Sequence, residues 1–405
     1  MTDHAHDSHF SPASAAPRCA VALSTHADMS AALAELVAQL GTPPAVAPSI
    51  AVLFFSRHHQ QHIAQLLPEL VSQLGTENLI ACRGESILGG AQEIEQQPAI
   101  VLWTALLPDV EVIPLELDFE QTPEGGLITG WPDAALDDWP PGSAILLLGD
   151  PFTFPADLFL QRINEDRPQT PVIGGMCSGM QERGDSVLAI GRHIRRQGAV
   201  GLLLRGDAKM KTVVSQGCRP IGEPLVITKV EDHLILELGG RPALQRLNEL
   251  YLQLPTHEQQ LAKRGLHVGR AVSEYRERFN QGDFLIRNIM NVVPGLGGFS
   301  ISDSPRVGQT VQFHLRDRDT ATADLQLLLR QFRDETARRV VGGLVFSCNG
   351  RGSRLFAQPH HDANAIQNAL GPLPLAGFFA AGEIGPVGGQ NFMHGFTASI
   401  ALFHD

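Results

Sequence analysis

The chain has 405 residues, 43% hydrophobic and 18% charged, which supplies ample core and excludes an intrinsically disordered protein. Its net charge of −12 argues against nucleic-acid backbones and anionic membrane surfaces as partners. The 40 glycines and 27 prolines demand many turns, while 3 Trp and 2 Tyr leave few stacking platforms for RNA or sugars.

Cys19, Cys82, Cys177, Cys218 and Cys348 are odd in number and form no CxxC pair, so neither a disulfide framework nor a cysteine-rich zinc site is expected. Residues 1–18 read as a disordered tail. It has neither a basic n-region nor an apolar h-region, so it is not a secretory signal. His4, His6 and His9 belong to that tail and read as solvated. The longest apolar run, Ile100–Leu107 apart from Thr104, is far short of the roughly 20 residues that span a bilayer. A soluble, cytoplasmic protein is expected.

Ser30–Leu40 predicts a helix, with Leu33, Leu36, Val37 and Leu40 at helical spacing and Gly41 as the stop. A pattern then begins that returns twice. Ala51–Phe55 (AVLFF) reads as a buried strand, His59–Leu74 as a helix kinked at Pro68, and Leu79–Ala81 as a second strand. Ninety-three residues on, Ala144–Leu148 (AILLL), a short helix over Asp157–Asn164 and Val172–Gly174 repeat the grammar. Apolar strands Pro98–Leu107 and Ala199–Arg205 close these units. A diverged third copy is expected in Gly343–Ser347, a helix over Asp362–Leu370 with Asp362 as N-cap, and the strand Ala376–Ala380. Between the copies lie a hairpin, Leu225–Val230 with Leu234–Leu238, and a helix over Ala243–Leu254. Strands at Phe284–Met290 and Thr310–Arg316 and a helix over Asp324–Phe332 follow.

The expected class is therefore α/β, with repeated β-α-β units forming mixed sheets and helices packed against them. Two domains are expected, 19–242 with an internal duplication and 243–405, divided near Pro242.

Parallel strand ends share one sheet edge, where ligands usually sit. In the third copy that rule gathers Cys348, Asn349, Arg351 and Glu383, with His394 either facing the site or bonding a loop. An arginine among glycines forks a carboxylate and a glutamate holds an amine, so the mixed-sign set suits a small zwitterion. The competing reading pairs Arg351 with Glu383 across the turn. Weaker equivalents are Ser56 and Arg57 with Glu85, and Asp150 with Cys177 and Ser178. Gly175–Gly179 fits a thiol form of G-x-S-x-G, but a strand, not a helix, is expected to follow. His58 and His62 lack the glutamate of HExxH, and Pro294–Gly298 makes no phosphate-binding fingerprint. No metal and no cofactor is expected.

Leu344–Gly352 (LVFSCNGRG), Ala376–Val387 (AGFFAAGEIGPV) and Phe392–Leu402 (FMHGFTASIAL) together resemble the C-terminal domain of the FIST family. Gln216–Pro220, Leu236–Leu238 with Gly240–Ala243, and Ala81–Gly90 resemble its N-terminal domain and the junction. The resemblance spans residues 48–403. It implies a sensory module binding a small ligand, proposed for the family to be an amino acid or similar metabolite. Fused sensors of this family carry signalling domains or an F-box. The chain leaves no room for such a segment, so an output through a partner protein is expected. The family supplies no established catalytic residues. Two other readings stand beside it: acyl or amide transfer through Cys348 or Cys177, and a scaffold that binds protein alone.

Overall fold

The computed structural model describes residues 18–405 apart from 42–45, 124, 276, 277, 280 and 337. The expected tail lies outside the described residues except for Arg18, which opens the strand Arg18–Ser24 instead of ending the tail.

Three sheets are built on one plan. In the first, Ile50–Phe55 pairs parallel with Leu79–Arg83, the helix Ile63–Leu74 crossing between them, and antiparallel with Ile100–Leu106. In the second, Ala144–Gly149 pairs parallel with Val172–Met176 across the helix Ala156–Asp166, and antiparallel with Ala199–Arg205. In the third, Val340–Cys348 pairs parallel with Leu375–Ala380 across the helix His361–Leu370, and antiparallel with Thr397–His404. Among the described residues each of these sheets has a single parallel pair, and every other pairing is antiparallel. A description by β-α-β units alone therefore misses most of the strands.

Six of the missing strands form exchanged hairpins. Ser86–Gly89 and Gln92–Glu95, just after the first parallel pair, add to the third sheet. Leu188–Ile190 and His193–Arg195 follow the second pair and add to the first sheet. Glu383–Val387 and Gln390–His394 follow the third pair and add to the second sheet, with Gly175 opposite Glu383. The exchange interlocks distant parts of the chain and brings the ends of the three parallel pairs together. Ser178 marks the meeting point: its hydroxyl accepts from the Glu85 N–H at 2.7 Å and donates to the Phe379 carbonyl.

The inner faces of the three sheets share one core, with Phe54, Trp103, Leu146, Leu202, Phe346, Phe378 and Phe403 fully buried. Phe54, Phe346 and Phe378 meet at centroid distances of 5.0–6.1 Å. Burying each such ring is worth about 1.5–3 kcal/mol, so this core holds the sheets together. The helices cover the outer faces through apolar stripes such as Ile63, Leu66, Leu67, Leu70, Val71 and Leu74.

The fourth sheet closes on itself. Cys218–Glu231, Thr310–Arg316, Leu266–Ala271, Phe284–Val293, Gly298–Ile301 and Leu234–Leu238 pair in that order, and the last returns to the first. Ile227, Ile235, Val268, Phe299 and Phe313 fill its core beneath the helices Ala243–Gln253 and Thr256–Gly265. Closure removes the exposed edges an open sheet would present.

Three local expectations change. The first crossover helix starts at Ile63, not His59, because the Ser56 carbonyl and hydroxyl accept from His59 and Ala99 and hold a tight turn there. The helix expected from Asp324 begins at Arg318, capped by Asp317, which accepts from the N–H groups of Asp319 and Thr320. The helix His361–Leu370 has His360, at φ 59°, in the cap position, and the Asp362 side chain turns inward.

Candidate functional site

Strand ends again define the place. Val340–Cys348 runs out into Asn349, Gly350 and Arg351, and the Asn349 N–H donates to the Ala380 carbonyl at the end of the parallel neighbour. Arg351 folds back beneath this turn and is fully buried. Its Nε and Nη2 donate to Asp362 at 2.7 Å each, and its guanidinium lies 5.1 Å over the Phe356 ring. Ser347 Oγ donates to the same carboxylate at 2.8 Å. Burial pushes Asp362 up, but the charge and hydrogen bonds of Arg351 outweigh it and hold the carboxyl well below its usual range. The fork of Arg351 is thus occupied by an internal carboxylate, and the alternative pairing of Arg351 with Glu383 does not occur.

Glu383 is equally buried but less fully bonded. Its Oε2 accepts from the N–H and hydroxyl of Thr397 at 3.1 and 2.9 Å. The Cys348 thiol approaches and favours the ionised form, yet Oε1 has no well-formed hydrogen bond. Burial pushes the carboxyl up to about 8, against the bonds from Thr397 and the charge of Arg351. His394, directly across the hairpin from Glu383, has Nε2 2.9 Å from the Gly385 carbonyl, and burial lowers its pKa to about 4. The imidazole thus bonds the backbone of the neighbouring strand Glu383–Val387, within its own hairpin.

One residue missed in the sequence completes the constellation. Arg316 ends the barrel strand Thr310–Arg316, and its guanidinium lies 5.2 Å over the ring of Phe396. Its Nε and Nη2 are buried without a partner, and among the described residues it makes no ion pair. Gly350 makes room for it: a Cβ there would sit 2.7 Å from both terminal nitrogens. Phe396 holds a positive φ of 68°, a strained backbone for an aromatic residue, and its carbonyl accepts from the Gly217 N–H at 2.9 Å. His267 packs 4.1 Å from the same ring, and burial followed by the Arg316 charge lowers its pKa to about 4.

A groove of about 640 Å³ opens above Arg316, between the barrel and the loop that carries Arg354 and Leu355. Of its arginines, Arg219 pairs with Glu258 and Asp317, Arg318 with Asp319, and Arg354 with Glu85. Among the described residues, Arg316 and Arg264 are the groove arginines without an ion pair. The floor of the groove therefore carries uncompensated positive charge, and the buried, partly unbonded Glu383 shares Cys348 as a neighbour with Arg316.

Both candidate thiols are buried. Burial, then the Glu383 charge, pushes Cys348 up to about 12, and Cys177 is fully buried on a turn that no helix follows. Among the described residues no three His, Cys, Asp or Glu side chains are grouped to hold a metal ion. No described helix is long and apolar enough to cross a membrane.

A closed barrel set against three interlocked α/β sheets, with buried unlike charges gathered at strand ends, defines an α/β protein of mixed sheets organised in two domains. Residues 49–241 match the family model of the FIST N domain and residues 243–386 that of the FIST C domain, so the chain belongs to the FIST family, whose domains are small-ligand sensory modules. It is 44% identical over 390 residues to the uncharacterized protein Rv0628c of Mycobacterium tuberculosis, covering 96% of this chain and 100% of the relative. It is also 44% identical over 360 residues to the uncharacterized protein Mb0898c of Mycobacterium bovis, covering 89% of this chain and 91% of the relative.

Proposed function

We propose that the protein is a cytoplasmic sensor that binds a small amino-acid-like metabolite in the groove above Arg316 and passes the signal to a partner protein. The observation that carries this reading is the unused bonding capacity of buried polar groups: Nε and Nη2 of Arg316, and Oε1 of Glu383. Native proteins rarely leave such groups unpaired, because each costs about 1–3 kcal/mol or more, and a ligand is one way to satisfy them. A ligand carboxylate matches the arginine fork and an amine matches the glutamate. The groove volume lies within the range of small-molecule sites. In this reading Cys348, Asn349, Arg351 and His394 stand behind the groove lining, with Arg351 and His394 stiffening the turn and the hairpin there. We take the three β-α-β units and their exchanged hairpins as copies of one ancestral unit, the first two forming the duplication in 19–242.

A thermal-shift screen of amino acids and organic acids tests the reading. At a hundredfold excess over Kd a ligand adds about 2.7 kcal/mol to stability, enough to raise the midpoint visibly. Arg316→Ala is expected to abolish the shift while the unliganded protein melts near wild type. Gly350→Ala is expected to weaken it by about tenfold, since displacing the guanidinium removes about one charged hydrogen bond. A panel that leaves the midpoint unmoved, or a shift that survives Arg316→Ala, would overturn the proposal.

A further inference from the structure

A second cavity, of about 430 Å³, lies at the end of the first parallel pair and is lined by Arg57, His58, Arg83, Gly84, Glu85, Gln96, Gly179 and Gln181. Arg83 forms its buried wall and is only 7% exposed. Every hydrogen bond it makes goes to a neutral oxygen: Nη1 donates to Gln60 Oε1 at 2.6 Å and the Asp185 carbonyl at 3.3 Å, and Nη2 to the Gly179 carbonyl. Its Nε has no partner. Exposed Arg57 adds a second positive charge and makes no ion pair among the described residues; burial and Arg57 both push the Arg83 guanidinium down, against Asp185. Glu85 on the rim is held by Arg354 from the other side, and the Asp185 carboxylate acts on Arg83 by its charge alone while accepting from the Gln181 N–H at 3.4 Å.

A buried guanidinium bonded only to carbonyls, beside a second free one and facing an open cavity, has the wrong charge balance for a purely structural site. We infer that this cavity is a second ligand site, distinct from the groove above Arg316, and that it takes a small oxyanion, a carboxylate or phosphate group held by Arg57 and Arg83. Planar guanidinium pairs match both oxyanions, and the side-chain amides of Gln96 and Gln181 supply neutral donors at the walls.

Isothermal titration of the full chain with inorganic phosphate, and separately with succinate, tests the inference. At least one probe is expected to bind wild type and Arg316→Ala with equal affinity, and whichever binds more tightly names the oxyanion. Arg57→Gln, which changes an exposed side chain, is expected to weaken that binding about tenfold or more, in line with loss of a charge-assisted bond. Arg83→Lys, which keeps the charge but not the fork, is expected to weaken it too. Absence of binding by both probes, loss of binding in Arg316→Ala, or unchanged affinity in Arg57→Gln would each overturn it. Because Arg316→Ala reports on the groove and Arg57→Gln on this cavity, failure of one site is distinguishable from failure of the other.

Discussion

Asp362→Ala is expected to lower folding stability by about 3–5 kcal/mol, because it strands the Arg351 charge in a fully buried position. The carboxylate accepts two bonds from Arg351 and one from Ser347, His361 Nδ1 lies 2.9 Å from it, and no solvent reaches the guanidinium to replace them. Glu93, from the exchanged hairpin of the first unit, is the neighbour able to soften the loss. Its Oε1 accepts from the Ala363 N–H at 2.9 Å, and burial followed by the Asp362 charge pushes its carboxyl up to about 8. Near neutral pH Glu93 is therefore mostly protonated, and removal of Asp362 would let it ionise toward Arg351. Asp362→Ala is thus expected near the lower end of the range and Asp362→Ala with Glu93→Gln near the upper end. The paired change Arg351→Met with Asp362→Leu is expected to recover most of the stability, since it removes both charges together. Urea midpoints at unchanged m-value measure all three. A loss below about 1 kcal/mol in the single variant would show that Arg351 has another counter-ion.

The same residue shows where sequence reasoning stops. Asp362 stands beside a helix start, where a local rule assigns it to capping, but its partner is Arg351, eleven residues back on a turn whose course only the tertiary fold decides. The strands Ala51–Phe55, Ala144–Leu148 and Gly343–Ser347 are legible because strands buried on both faces read as unbroken apolar runs. The hairpin Ser86–Glu95 carries no such run, and its pairing with Leu375–Ala380 joins segments nearly three hundred residues apart, which periodicity cannot show. The strand-end rule gathers Cys348, Asn349, Arg351 and Glu383; in the structure the Cys348 thiol neighbours both Asn349 and Glu383, and the Arg351 charge acts on Glu383. Arg316 escapes it because the rule concerns parallel strands, whereas Arg316 ends an antiparallel strand of the barrel. An arginine closing an otherwise apolar-faced strand, just before the acidic cap of a long helix, is the signal that was there to read.

Stability should depend on pH in a way that isolates Glu383. Its folded carboxyl titrates near 8, above the ordinary 4.5, so the folded state holds a proton that the unfolded state has released throughout that window. Stability therefore falls as pH rises from about 4.5 to about 8, by on the order of 5 kcal/mol for this group. Glu93 acts in the same direction. His267, His314 and His394, each lowered to about 4 chiefly by burial, act oppositely: the unfolded state takes protons first, and stability falls as pH drops below about 6.5. Three imidazoles against two carboxyls place the expected maximum near pH 6.5. Glu383→Gln keeps the shape and a neutral group at the Thr397 bonds. It is expected to match wild type within about 1 kcal/mol at pH 5 and to exceed it by several kcal/mol at pH 9, as read from urea midpoints at the two pH values. Parallel wild-type and variant curves would show that Glu383 is ionised in the fold. The same proton gives the proposed ligand a signature. An ammonium group placed against Glu383 favours its carboxylate, so binding at pH 7 should release close to one proton, seen calorimetrically as a heat that scales with buffer ionisation enthalpy. Glu383→Gln should abolish that release. A ligand that binds without proton release in wild type would contact Arg316 alone, and its amine would lie away from Glu383.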